Sequence, residues 1–146
     1  MAKYGPSLGQ KHAHHAIHEG ALTGAIQKTE DLFGFLKKGE AEAAKLAADD
    51  LVDYWETRII AHADSEESGF YQEKVEQYPE LKEAVIGLKR DHDILRMILQ
   101  DIRLILNDKG ITHEVMMKFD SLIIVNELHS REEERTLFEE REHFHK

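Results

Sequence analysis

The stretch KEAVIGLKRDHDILRMILQDIRLIL, residues 82–106, decides the fold class of this chain. Its apolar side chains recur at alternating steps of three and four residues, which places them on one face of an α-helix. The positions on that face are Val85, Leu88, His92, Leu95, Leu99, Ile102 and Leu106. A long amphipathic helix must bury its apolar face against other elements. The stretch therefore predicts a helix within a packed helical domain.

Three further segments have the same periodicity, and short breaks containing Gly or Pro separate the four. Four predicted helices follow: α1, about residues 11–37; α2, about residues 42–71; α3, about residues 79–106; and α4, from about Thr112. Long helices joined by short loops predict an all-α, antiparallel up-down-up-down four-helix bundle. We expect one domain over residues 1–146, with residues 1–10 as an N-terminal arm and residues 139–146 as a frayed tail.

The other three helices each have a predicted inward stripe. The stripe positions are His15, His18, Leu22, Ile26, Thr29, Phe33 and Leu36 on α1; Leu51, Trp55, Ile59, His62, Glu66 and Phe70 on α2; and Phe119, Leu122, Val125, His129, Glu133 and Leu137 on α4. Thr112 is a favourable N-cap for α4, and residues 107–110 predict the turn before it.

Composition excludes several classes of function. The formal charge of -10, without a run of Lys or Arg, disfavours nucleic acid and anionic membranes as partners. The chain has no cysteine, so any metal must be held by imidazole and carboxylate groups. It contains neither a long apolar run nor a secretory-type start, which predicts a cytoplasmic location.

Histidine interrupts the apolar stripe of every predicted helix. The chain has 10 His, and those in the stripes are His15 or His18 on α1, His62 on α2, His92 on α3 and His129 on α4. Glu66 and Glu133 follow His62 and His129 by four residues. Residues four apart share a helix face, so each pair directs an imidazole and a carboxylate into the same volume.

The loops show that these positions lie at one level along the bundle. His15 precedes Gly39 by 24 residues, and His62 follows Gly39 by 23. Similar distances, 13 and 13 residues, separate Pro79 from Glu66 and from His92. The distances from Gly110 are 18 residues to His92 and 19 residues to His129.

Burial of these polar groups in an apolar core is costly unless they are paired or bind a metal. Two glutamates can each bridge two ions while histidines fill the terminal positions, which suits iron or manganese. Zinc is a further possible substitute. Glu67, Glu132 and Glu134 are expected to be solvated or to hydrogen-bond a ligand imidazole.

The pattern resembles the hemerythrin-like, or HHE cation-binding, domain family over essentially the whole chain. The matching residues are a histidine on α1, the motif HADSE at residues 62–66, His92, and the motif HSREE at residues 129–133. The resemblance implies a centre of two non-haem iron ions bridged by Glu66 and Glu133. The terminal ligands would be His62, His92, His129 and a histidine of α1.

Two departures from the oxygen-carrying branch of that family stand out. First, Arg96 occupies the position at which that branch has a second α3 histidine. Second, that branch has its α4 carboxylate five residues after the histidine, whereas Glu133 lies four residues after His129 and Glu134 lies five residues after it. The bridge can therefore be either glutamate, and the pattern looks more like the iron-sensing and iron-repair branch. On α1, His15 fits the loop distances best and His18 can ligate instead or as well; His12 and His14 are expected to face solvent or to support the ligands.

Three functions follow as hypotheses. The first is a di-iron protein that binds or reduces dioxygen, nitric oxide or peroxide, with Arg96 steering a bound anion. The second is a binding module that handles iron or senses oxygen or iron without turnover. The third is a metal-free helical dimer. We expect a monomer or a weak homo-oligomer, and hydrolytic chemistry has no supporting motif.

Overall fold

The computed structural model describes residues 11–139, and within that range the chain is helical almost throughout. It contains four helices and no strand, which confirms the all-α prediction for this part of the chain. Their bounds are α1, Lys11–Lys37; α2, residues 41–77; α3, Lys82–Lys109, entered through a 3-10 turn at Pro79–Leu81; and α4, residues 113–139. The expected arm and residues 140–146 of the expected tail lie outside the described residues.

The helix ends follow local chemistry. Gly39 and Gly110 adopt φ angles of +74° and +78°, which disfavour residues with a Cβ atom and stop α1 and α3. The α3 helix continues through Lys109, so the turn predicted at residues 107–110 is shorter than expected. Thr112 caps α4 as predicted, because its Oγ1 accepts a hydrogen bond from the Val115 amide at 3.2 Å.

Helix α2 extends six residues beyond its predicted end and contains two π-helical segments, Trp55–Ile60 and Glu66–Phe70. The last segment of α4, Arg135–Glu139, is also π-helical. Such wide turns are rare and occur most often at functional sites. Here one π-helical segment begins with Glu66 and another begins two residues after Glu133, the two glutamates of the predicted site.

The apolar core is divided into two clusters. The larger includes Leu32, Leu51, Trp55, Leu99 and Phe119, whereas the smaller comprises Phe70, Tyr71, Leu81, Val85, Leu88, Leu137 and Phe138. The predicted polar positions of α2, α3 and α4 lie between these clusters along each helix. Apolar packing on both sides therefore fixes the height at which these polar groups meet.

Helix α1 is rotated by about one residue relative to its predicted stripe. The buried positions are His14, Ala25, Thr29 and Leu32, whereas Ile26 is exposed and His15 is half exposed. The reason is a close approach to α2: Tyr54 packs against Gly24 and donates a hydrogen bond to the Ala21 carbonyl at 2.9 Å. On α4, similarly, Asn126 is buried where Val125 was predicted.

Neighbouring helices are joined by polar contacts as well as by the core. Lys28 of α1 pairs with Asp50 of α2 at 2.7 Å, and Lys118 of α4 pairs with Asp101 of α3 at 3.3 Å. None of the helices within residues 11–139 is long and apolar enough to span a bilayer.

Candidate metal centre

Seven side chains from all four helices meet between the two apolar clusters. They form two groups of potential metal ligands, and the ligand atoms of each group lie within 4.8 Å of one another. The first, called here the α1–α2 position, comprises His14, His18, His62 and Glu66; the second, called the α3–α4 position, comprises Glu66, His92, His129 and Glu133. Glu66 belongs to both groups.

The two carboxylate oxygens of Glu66 face different groups. Oε2 lies 2.9 Å from His14 Nε2 and 3.3 Å from His62 Nε2, whereas Oε1 lies 3.3 Å from His92 Nε2. One carboxylate thus presents an oxygen to each position. This is the arrangement that a bridging carboxylate requires.

Glu133 also reaches both groups. Its Oε1 lies 3.1 Å from His14 Nε2 and 3.4 Å from His18 Nε2, and its Oε2 lies 3.5 Å from His129 Nε2. Glu134, the alternative bridge, instead bonds His15 Nδ1 at 2.7 Å near the surface. Of the two glutamates, Glu133 is therefore the one that reaches both groups.

The imidazoles of the α3–α4 position are oriented by outer carboxylates. His92 Nδ1 lies 2.7 Å from Glu67, and His129 Nδ1 lies 2.9 Å from Asp91. An ionised carboxylate only accepts hydrogen bonds, so each Nδ1 donates and each Nε2 points inward. The two Nε2 atoms are 3.0 Å apart. If both rings were neutral, the lone pairs of these two nitrogen atoms would face and repel each other. A shared proton or a bound cation removes that repulsion.

Arg96 supports one of these outer carboxylates. Its guanidinium contacts Glu67 at 2.9 Å, Asp64 at 2.6 Å and Asp93 at 2.8 Å. These three ion pairs give Arg96 a structural role, because those with Asp64 and Glu67 join α3 to α2 beside the centre. The hypothesis that Arg96 steers an anion finds no support in these contacts.

Tyr71 is a member of the site that the sequence did not indicate. Its hydroxyl donates a short hydrogen bond to Glu133 and lies 3.3 Å from Glu66 Oε1, and its ring stacks on His92 at 5.7 Å. Burial, followed by the negative charges of Glu133 and Glu66, raises the pKa of Tyr71 far above its ordinary value. The phenol therefore stays protonated and holds both carboxylates in place.

The charges of the histidines respond to the surrounding carboxylates. Burial lowers the pKa of His14, but the hydrogen bonds and charges of Glu133 and Glu66 outweigh burial and raise it to about 9. For His129, burial is likewise outweighed, by Asp91 and Glu133, and the pKa is raised to about 10. Without a metal, bound protons thus supply the positive charge that this buried site needs.

The glutamates show the matching shift. Burial raises the pKa of Glu66, but its histidine contacts reverse the effect and hold the pKa well below the ordinary range. Burial and the charge of Glu66 raise the pKa of Glu133, and contacts with His129 and His14 outweigh them and lower it. Both carboxylates are therefore ionised near neutral pH and available as ligands.

Unpartnered buried atoms test whether the residues fit a metal. Among the described residues, His62 Nε2 and Glu133 Oε1 are buried without an aligned hydrogen bond, although charged groups lie 3.3 Å and 3.1 Å away. Buried polar atoms are normally hydrogen-bonded. Atoms that approach one another without alignment are expected when they converge on a common ion. The donor set of imidazole and carboxylate fits iron, manganese or zinc.

Six of the seven predicted ligands come together: His18, His62, Glu66, His92, His129 and Glu133. His15 lies outside both groups, where it contacts Glu134 and Glu19. His14 instead belongs to the first group and is fully buried, so the alternative that it faces solvent is wrong. Glu67 hydrogen-bonds the imidazole of His92, a residue of the second group.

A small cavity opens beside the centre. It has a volume of about 30 Å³ and is bordered by His18, His62, Glu66, His92 and His129, with Arg58, Asn126 and apolar side chains completing its wall. A space of about 10–15 Å³ is enough for one water, so the cavity suits a molecule of two or three atoms.

Comparisons of the chain with protein-family models, curated proteins and solved structures give no match.

Proposed function

We propose that this chain is a hemerythrin-like, non-haem di-iron protein that binds or reduces a small oxidant: dioxygen, nitric oxide or peroxide. The observation that carries the proposal is the sharing of Glu66 by two groups of ligands that draw on all four helices. A carboxylate common to two sites is what a centre of two adjacent ions needs.

The proposed scaffold is an antiparallel up-down-up-down bundle. His14, near the start of α1, contacts Glu66 in the second half of α2, whereas Lys28, later in α1, contacts Asp50 in the first half of α2. Contacts between α3 and α4 run in the same reversed order: Asp91 meets His129, and Asp101 meets Lys118. A bundle of this kind builds metal sites in its core from side chains on facing helices.

Iron is the proposed metal because the donors are five imidazoles and two carboxylates without a thiolate. Manganese and zinc can occupy the same donors. With both glutamates bridging, these ligands do not fill the coordination shells of two six-coordinate ions. Iron held there would supply a coordination position for an oxidant or the electrons to reduce it.

The protein's own residues select what reaches the centre. Ile17, Ala21, Ile59 and Ala63 give the small cavity a partly apolar lining. Asn126 is buried in the same lining, and within residues 11–139 no protein hydrogen bond involves its side-chain amide. Cavity size and the amide together favour a small polar ligand over an organic substrate.

The test is an iron analysis combined with an absorption spectrum of the reduced protein before and after admission of air, nitric oxide or peroxide. We expect about two iron ions per chain and a spectral change with at least one oxidant. Glu66→Ala should lose the iron, whereas Glu73→Ala, the same change of an exposed glutamate on the same helix, should keep it. Two bound ions with a spectrum that none of the oxidants alters would contradict the oxidant function.

Iron handling without turnover is the second candidate. A groove of about 250 Å³ between α1 and α4 reaches His18 and is lined by Glu19, Glu127 and Glu134. This path would let an ion pass between solvent and the centre. Rapid release of iron to a chelator, in protein whose spectrum does not respond to oxidants, would favour this candidate.

A further inference from the structure

The two proposed metal positions differ in how their histidines are held. At the α3–α4 position, His92 and His129 each donate Nδ1–H to a carboxylate, Glu67 and Asp91 respectively. Such outer carboxylates fix the ring orientation and make the imidazole a better electron donor to a metal. The position is thus supported from outside on both of its imidazoles.

That support is itself anchored. Arg96 contacts Glu67 and also Asp64 and Asp93, so the carboxylate on His92 is held by a residue tied to two helices. The ligands of the α3–α4 position are at least 96% buried. An ion bound there would be held by more deeply buried side chains than His18 and His62.

The α1–α2 position has the opposite character. Within residues 11–139, the Nδ1 atoms of His14 and His18 are buried and have no hydrogen-bond partner. The His18 and His62 side chains are 11% and 21% exposed. Among the described residues, the Nδ1 atoms of His14 and His18 therefore lack the outer carboxylates seen on His92 and His129, and two of the three rings are partly exposed.

Two openings reach the centre. The small cavity beside Arg58 borders residues of both positions, whereas the acidic groove between α1 and α4 reaches His18 of the α1–α2 position and none of the residues found only in the α3–α4 position. The groove carries Glu19, Glu127 and Glu134, with Arg131 and His15 as the basic residues. His18 thus lies between the α1–α2 position and a surface that attracts cations.

We infer that the two positions have different tasks: the α3–α4 position retains its ion, and the α1–α2 position exchanges its ion through His18. The inference rests on the proposed di-iron function. Glu67 and Asp91 act as positioning residues for the retained ion. Because Glu66 is shared, loss of one ion leaves its second oxygen facing the other ion.

The experiment follows iron release. Protein loaded anaerobically with iron(II) is mixed with excess ferrozine, and the coloured complex is recorded over time. We expect two phases of equal amplitude, with the first at least tenfold faster than the second. His18→Ala should remove the fast phase and leave about one ion per chain, whereas His113→Ala, a change of an exposed histidine, should leave both phases intact.

Variants of the outer carboxylates test the slow phase. Asp91→Asn and Glu67→Gln should each accelerate it by about tenfold to a hundredfold and leave the fast phase unchanged. Asp93→Asn is the matched control, because Asp93 also contacts Arg96 but touches none of the described histidines. The two test variants lie on different helices, so misfolding of one, detected by circular dichroism, leaves the other as the test.

The outcomes separate the inference from the proposed function. Two bound ions that leave in a single phase would overturn the inference and leave the di-iron function standing. The same holds if Asp91→Asn and Glu67→Gln accelerate the fast phase only. Wild-type protein that binds fewer than two ions would overturn the di-iron function and the inference with it.

Discussion

His14 and His15 are neighbours in the sequence but lie in opposite environments. His14 is fully buried against Glu66 and Glu133, whereas His15 is half exposed and contacts Glu134. We expect His14→Ala to bind about one iron ion per chain and His15→Ala to bind about two, measured by metal analysis of purified protein. Equal losses in both variants would contradict the assignment of His14 as the ligand.

A shift of one residue rotates a helical position by about 100°, so the choice between His14 and His15 depends on the rotation of α1. The apolar residues of α1 cover a wide arc, and the three-and-four spacing fits either face. Contact with Tyr54 decides between the faces by turning Gly24 toward α2. That packing is a tertiary effect, which periodicity within α1 does not contain.

The hydroxyl of Tyr71 supplies a second prediction at this scale. Tyr71→Phe removes the hydrogen bond to Glu133 and leaves a buried carboxylate with fewer donors. We expect the free energy of unfolding of the metal-free protein to fall by about 2 kcal/mol, because hydrogen bonds to charged groups contribute that much. Urea unfolding in the presence of a chelator measures the change.

The matched control for this variant is Tyr54→Phe, which removes a hydrogen bond from a tyrosine hydroxyl to a neutral acceptor, the Ala21 carbonyl, and should therefore cost less. A loss of stability as large in the control as in Tyr71→Phe would contradict the account. So would an unchanged stability of Tyr71→Phe.

At the scale of single elements, the π-helical segment Glu66–Phe70 explains why Tyr71 belongs to the site. In a regular α-helix, residues three or four apart share a face and a residue five positions on does not. A π-helical turn closes at five residues and returns Tyr71 to the side of Glu66. The sequence predicted α2 and its inward stripe, but an α-helical period leaves Tyr71 outside that stripe.

Gly24 gives a prediction about how α1 packs on α2. An added Cβ at Gly24 would lie 2.1 Å from the Tyr54 hydroxyl oxygen and would break its hydrogen bond to Ala21. We expect Gly24→Ala to lower the free energy of unfolding by about 2 kcal/mol, as overpacking does. Thermal or urea unfolding checks this value.

Gly34 is the control on the same helix, because nothing lies within 4 Å of a Cβ added there. Gly34→Ala should raise stability by up to about 1 kcal/mol through its better helix propensity. A change of stability in the same direction in both variants would contradict the close contact between Gly24 of α1 and Tyr54 of α2.

At the scale of the whole molecule, the charges of the site predict how stability depends on pH. The pKa values of His14 and His129 are raised from 6.5 to about 9 and about 10 in the folded protein. Protonation of these histidines therefore stabilises the fold fully below pH 6.5, and this contribution disappears as pH rises through 9 to 10. The lowered pKa values of Glu66 and Glu133 stabilise the fold above pH 4.5.

We expect the free energy of unfolding of the metal-free protein to decrease by several kcal/mol between pH 6.5 and pH 10, because both histidines lose their stabilising protons over this range. Iron-loaded protein should show the opposite trend over the lower part of this range, because protons compete with metal for the same ligands. Urea unfolding at several pH values, with chelator or with iron, measures both. A metal-free protein whose stability rises across this range would contradict the charge assignment.

The sequence predicted the features of the molecule that follow from regular periodicity. The four helices, the Thr112 cap and the common level of His62, His92 and His129 all come from spacing and from Gly or Pro breaks. Asn126 and Tyr71 were not predicted, since they reach the site through helix rotation and a wide turn. Asp91 was missed because nothing in its spacing distinguishes it from a solvated acidic residue.

The central claim is that two adjacent ions share Glu66. Anomalous diffraction at the iron absorption edge, from crystals of iron-loaded protein, tests it directly. We expect two peaks with the Glu66 carboxylate between them, one beside His14, His18 and His62 and the other beside His92 and His129. A single peak, or peaks away from Glu66 in protein loaded with excess iron, would contradict it.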